Sequence, residues 1–215
     1  WGKLFLRSYL PAQKKLKSVL KSDIKRQIDK ADEAIQRILK EAKKKGIPCK
    51  QKALRIDSHV HTHLLPVVWK ALIEVIEEEG YEIEMIRNPK EPFFPFLKEA
   101  SLWKTYSFVN FLKNRILMFY SAKVDRYCEK KNLDKMYMWG LMMSGGMDIE
   151  RIRVLYPHMI EKTKKDDRIL ELLFHPGQAE KEEFEENMDP DYFNHFNNIF
   201  HCFPHCNFKD EKNLL

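Results

Sequence analysis

The first regular pattern in the chain is helical. Leu16, Val19, Leu20, Ile24, Ile28, Ala31, Ile35, Ile38, Leu39 and Ala42 recur with a 3.6-residue period, which predicts one or two long amphipathic helices over 15–45, closed by Gly46-Ile-Pro48. From Ala53 to Val60 the period changes to two and predicts a strand. Pro66 suits the first turn of a helix that Gly80 stops after Glu79. Tyr81–Ile86 is again strand-like, the three prolines between Pro89 and Pro95 enforce an extended loop, and 96–131 is mostly helical, with aromatics expected in the core. A third strand is expected over Met136–Met142 and a helix over 149–165 with Asp148 as its N-cap. Arg168–Phe174 completes the set of four strands.

Strands that alternate with helices predict an α/β fold with parallel strands. In such folds ligands bind beyond the carboxyl ends of the strands. Those ends carry His59 and His61, Arg87, Ser144-Gly145-Gly146 and His175, which are expected to face one rim. Beyond Gly177 an acidic stretch, 180–186, leads into a segment without a clear period, so 1–177 is expected to form the folded domain and 178–215 an irregular tail.

Composition narrows the class. The 215 residues are 44% hydrophobic and 33% charged, enough for a full core. No run approaches the roughly 20 apolar residues of a spanning helix, and no signal-peptide succession opens the chain, so a cytoplasmic protein with no membrane partner is expected. Four cysteines at irregular spacing agree with a reducing compartment. The net charge of +6 hides an asymmetry, because residues 1–52 carry 16 Lys/Arg against 5 Asp/Glu and the rest 22 against 27. These lysines lie on a helix face without interleaved aromatics, so a solvated surface is expected in preference to a nucleic-acid interface. A homodimer stays open.

The chemistry concentrates in Asp57-Ser-His-Val-His-Thr-His63. In an extended chain, side chains at i and i+2 share a face roughly 6.6 Å apart, so two imidazoles can converge on one divalent cation (Mg2+ or Zn2+). His59, His61, His63 and Asp57 are therefore candidate metal ligands, with Asp57 alternatively orienting an imidazole; spacing does not decide which bind. Arg87 is a candidate for pairing with a carboxylate or an anion. His175, delivered by an apolar strand, is a candidate general acid. His195, His201, Cys202, His205 and Cys206 cluster near the end of the chain, but without two separated ligand pairs they do not make a structural zinc pattern.

At these residues the chain resembles the YdjC-like family of carbohydrate deacetylases, which includes the chito-oligosaccharide deacetylases. The resemblance rests on "RIDSHVHTHLLPVVWKALIEV", "MIRNPKEP", "MYMWGLMMSGGMD" and "LELLFHPG", and runs from about Trp1 to Gly177. It implies a barrel-like (β/α) fold of the NodB deacetylase type and metal-dependent removal of an acetyl group from an N-acetylated oligosaccharide. It also implies that His59 ligates the metal and that His175 and Arg87 lie in the active site. The family's Asp-Asp-Phe-Gly and Gly-x-His-x-x-Leu-Thr segments do not occur in the sequence. That departure implies an incomplete amino-terminal part and a metal centre short of an Asp and a His. Two other readings stay open at this point: a phosphoesterase of the polymerase-and-histidinol-phosphatase type, whose opening D-x-H-x-H motif is similar, and a non-catalytic binding protein.

Overall fold

The computed structural model describes residues 13–49, 53–144 and 147–174. Its elements in chain order are α1 (Gln13–Lys44), β1 (Leu54–Ile56), a 3-10 turn (His59–Leu64), α2 (Pro66–Glu79), β2 (Ile83–Ile86), α3 (Phe94–Leu97), a second 3-10 turn (Ala100–Thr105), α4 (Phe108–Lys131), β3 (Met136–Trp139), α5 (Ile149–Lys165) and β4 (Ile169–Leu172). The chain divides into two compact units, Trp1–Arg87 with Tyr120–Asp134, and Asn88–Phe119 with Lys135–Leu215. Among the described residues no helix is long and apolar enough to cross a membrane.

The expected α/β organisation with parallel strands is present, as two separate βαβ units. In the first unit β1 pairs with β2 in parallel, Ile56 opposite Ile86, with α2 as the connection. In the second, β3 pairs with β4 in parallel, Met136 opposite Ile169 through Trp139 opposite Leu172, with α5 as the connection. Each sheet has two strands, so the described residues do not form a closed barrel.

Local signals explain the best-defined boundaries. Pro66 opens α2 and Gly80 closes it in the left-handed conformation, φ +69°. Asp148 accepts a hydrogen bond from the Arg151 amide at 2.9 Å and caps α5, whose last turn carries Lys162, Lys164 and Lys165.

In the first unit α2 buries Val67, Ala71, Leu72, Val75 and Ile76. The lysines of α1 are more than a solvated face. Lys17 reaches Glu74 at 2.7 Å, and Lys21 and Lys25 reach Glu78 and Glu79 at 2.6 Å, so the basic side of α1 is matched to an acidic row on α2. Such exposed pairs set register more than stability.

The core of the second unit is rich in methionine: Met142, Met143, Met147 and Met159 pack with Phe96, Trp139 and Leu155. Unbranched thioethers fill the irregular space between a two-stranded sheet and its helix. The aromatics of 96–131, expected as core, are split. Phe96 is buried and Phe111 packs on the core, whereas Trp103, Phe108 and Phe119 are more than half exposed.

Candidate functional site

β1 ends at Ile56, short of the expected Val60, and the difference decides how the histidines are presented. Ser58 is still extended, but the chain then coils into the 3-10 turn, with Val60 (φ 46°) and His61 (φ 57°) in the left-handed region. For a β-branched valine that conformation is costly and persists only where the surroundings impose it. The picture of His59, His61 and His63 alternating along one extended face is therefore corrected: they occupy a coil, and each meets a different environment.

His63 is buried, and both of its ring nitrogens are engaged. Nε2 lies 2.8 Å from the Arg87 carbonyl, and Nδ1 lies 2.6 Å from Ser58 Oγ. Burial pushes the imidazole pKa below its ordinary value, so the ring is neutral at pH 7. A carbonyl only accepts, hence Nε2 carries the proton, and Nδ1 accepts from the Ser58 hydroxyl. That hydroxyl oxygen in turn accepts from the His63 amide at 2.9 Å. The closed circuit ties the turn after β1 to the end of β2. Replacing His63 with Phe keeps the ring volume and removes both ring hydrogen bonds, so we expect a loss of about 2 kcal/mol in urea unfolding. Ser58→Ala is expected to cost about half as much, and the double variant less than the sum.

Because Ile56 and Ile86 are partners in the sheet, the residues that follow them, Asp57 and Arg87, emerge side by side. The Arg87 guanidinium donates to the Asp57 carboxylate in a direct ion pair. The Arg87 amide also donates to the Ile56 carbonyl at 2.8 Å. Lys123 secures the far end of the turn: its ammonium donates to the Leu64 carbonyl and sits 5.5 Å from the Trp69 ring and 5.3 Å from the Tyr120 ring. Burial lowers its pKa to about 8. His59 and Asp57 are exposed, and His61 is half-buried.

The second unit holds a site that the sequence did not announce. Glu91, within Asn88-Pro-Lys-Glu-Pro92, is completely buried. Its Oε1 accepts from the amides of Gly140 (2.7 Å) and Leu141 (3.0 Å), and its Oε2 from the Met142 amide (2.8 Å) and Asn114 Nδ2 (2.9 Å). Arg115 Nε donates to Asn114 Oδ1 at 3.1 Å, polarising that amide toward the carboxylate. Burial raises the Glu91 pKa to about 7, with the four donors pulling in the opposite direction. The clamp fixes the turn after β3, the stretch leading to Ser144, whose carbonyl accepts from Asn110 Nδ2 at 2.9 Å.

Among the described residues no three His, Cys, Asp or Glu side chains come together in a way that would hold a metal ion. His175, Gly145, Gly146 and the cluster His195, His201, Cys202, His205 and Cys206 lie outside the described residues. Cys49 and Cys128, which are described, are free thiols.

A family model described as YdjC-like protein matches residues 49–201, more than half of the chain. The chain belongs to the YdjC-like family. The match begins after α1 and encloses the 57–63 turn, Arg87 and Glu91. It also extends past Gly177, into the stretch expected to be tail. No curated protein and no solved structure matches the chain.

Proposed function

We propose that the chain is a hydrolase of the carbohydrate-deacetylase type that acts on the acetamido group of an N-acetylated oligosaccharide, with its site at the carboxyl ends of β1 and β2. The observation that carries this reading is the family match over 49–201, which encloses the Asp57–His63 turn. In support, that turn is held by buried hydrogen bonds to the end of β2 and contains two left-handed residues, and strain maintained in this way is a common mark of working sites. The fold proposed with it is the barrel-like arrangement of such deacetylases, for which parallel βαβ units are the building blocks.

In this reading Asp57, His59 and His61 are the donors the turn offers to a divalent cation, and His63 holds the turn in shape. Such an ion, when bound, polarises an amide carbonyl and acidifies water. Among the described residues these side chains do not complete a three-ligand centre. Arg87 orients the Asp57 carboxylate by their ion pair. His175 is assigned the proton that the departing amine requires.

The test has two arms. We expect saturable binding of N-acetylglucosamine oligomers in preference to their deacetylated counterparts, with release of acetate. Equal binding of both oligomers, or release of phosphate from phosphomonoesters in place of acetate, overturns the assignment. Calorimetric titration with Zn2+ and Mg2+ is expected to show a larger loss of metal binding for His59→Ala than for His205→Ala; equal losses move the metal away from the turn.

A further inference from the structure

Lys123 stands apart from the other lysines that bridge elements of the first unit. Those end on carboxylates: Lys17 on Glu74 at 2.7 Å, Lys21 on Glu78 and Lys25 on Glu79 at 2.6 Å, and Lys131 on Glu77 at 3.3 Å. Among the described residues the Lys123 ammonium pairs with no carboxylate. It donates to the Leu64 carbonyl and lies against two rings, 5.5 Å from the centroid of Trp69 and 5.3 Å from that of Tyr120. The surround is preformed: Tyr120, Lys123 and Tyr127 follow one face of α4, and Tyr127 meets the Trp69 ring edge-on, centroids 5.8 Å apart. A half-buried ammonium with three donors and a single protein acceptor is poorly compensated for the water it has lost. Burial accordingly brings its pKa down to about 8.

From this arrangement we propose that Lys123 is an acyl-acceptor site, modified at Nζ by a small acyl thioester, and that the modification loosens the hold of α4 on the Leu64 end of the histidine turn. The lone pair of the uncharged amine attacks the thioester carbonyl carbon. An N–C bond forms, the C–S bond breaks, and the sulfur leaves as a thiol with the proton that the nitrogen gives up. At pH 7 about a tenth of an amine with this pKa is uncharged, against fewer than about one in a thousand for an ordinary lysine. The lysines of α1 are easier to reach, but hydrogen bonds from Glu78 and Glu79 raise the pKa of Lys21 and Lys25 and keep them charged. A short acyl chain suits the surround, because its methyl group gains two aromatic neighbours where the charge had little solvation. The product carries no cation for the rings to attract, and its one remaining N–H bonds a carbonyl roughly half as strongly as an ammonium does. The inference is independent of the deacetylase reading, which does not use this amine.

The test incubates the full wild-type chain with acetyl-coenzyme A from about pH 6.5 to 9.5 and follows each lysine by peptide mass spectrometry. At pH 7 Lys123 is expected to be acetylated at least about 10-fold faster than Lys21 or Lys25, with a rate that levels off above about pH 8.5 while theirs keeps rising. The amides of His61 and Leu65 close the turn on the carbonyls of Ser58 and Thr62, at 3.1 and 3.0 Å. Their hydrogen exchange is expected to quicken several-fold in the acetylated chain, and likewise in Lys123→Gln, which removes the charge at this position alone. Acetylation of Lys123 no faster than that of Lys21 and Lys25, or an acetylated chain whose turn exchanges at the wild-type rate, overturns the inference.

Discussion

Glu91→Ala is expected to lower the free energy of unfolding by about 3–5 kcal/mol, the range seen when one partner of a buried, fully hydrogen-bonded charged group is removed. The physical reason is that three consecutive amides, Gly140 to Met142, and the Asn114 side chain all point at two oxygens. With the carboxylate gone, four donors in a dry core lose their acceptor. Glu91→Gln separates charge from shape. The amide oxygen still accepts from two donors, while its NH2 faces donors that no longer find a lone pair, so a smaller but definite loss is expected.

The same group predicts a pH dependence. Its folded pKa, about 7, is above that of the unfolded chain, so the folded protein binds the proton more tightly. The stabilising contribution is complete below about 4.5 and is lost as pH rises through 7, a change of up to about 3 kcal/mol. The wild-type minus Gln-variant difference in chemical denaturation, measured from pH 4.5 to 8, isolates this contribution. A difference that is flat, or that grows with pH, excludes a protonated Glu91 in the folded state.

What could be read along the chain, and what could not, follows from the range of the interactions involved. The bounds of α2 and α5 were legible because their signals are local: Pro66 and Gly80 for one, Asp148 and the lysines of the last turn for the other. The pairing of strands was only partly legible. Alternation of strand and helix implies parallel βαβ units, but it does not say that β1–β2 and β3–β4 form separate sheets.

The histidine turn was misread because alternation of polar and apolar residues looks the same in a strand and in a 3-10 turn. What separates them is Ser58 bonding to His63 and His63 to Arg87, contacts between residues that composition does not link. Three histidines that looked equivalent therefore divide into an internal tie, His63, and two that are at least partly accessible, His59 and His61. Glu91 was missed for a related reason. An acid between two prolines looks like a solvated loop, and only the return of the chain at Gly140 gives it partners. The one available signal was that Pro89 and Pro92 fix the backbone on both sides of it.

Gly140→Ala is expected to cost about 3 kcal/mol or more, a large effect for the addition of one methyl group. Gly140 has φ +146°, a conformation closed to L side chains, and a Cβ there would lie 2.8 Å from the Leu173 carbonyl oxygen and 3.1 Å from the Leu173 Cβ. The obstructing atom is backbone, and it belongs to the segment whose amide, on Leu173, donates to the Trp139 carbonyl at 2.8 Å. Relief therefore requires β3 and β4 to separate at their carboxyl ends, which also draws the Gly140 amide away from Glu91. Gly46→Ala and Gly80→Ala provide the control: both have φ near +70° and nothing within 4 Å of the added Cβ, so they are expected to cost about 1 kcal/mol from conformation alone. If Gly140→Ala costs no more than these two, the close approach of the strands is not what holds this turn. If it costs more, and its effect is less than additive with that of Glu91→Gln, the clamp and the strand ends act as one unit.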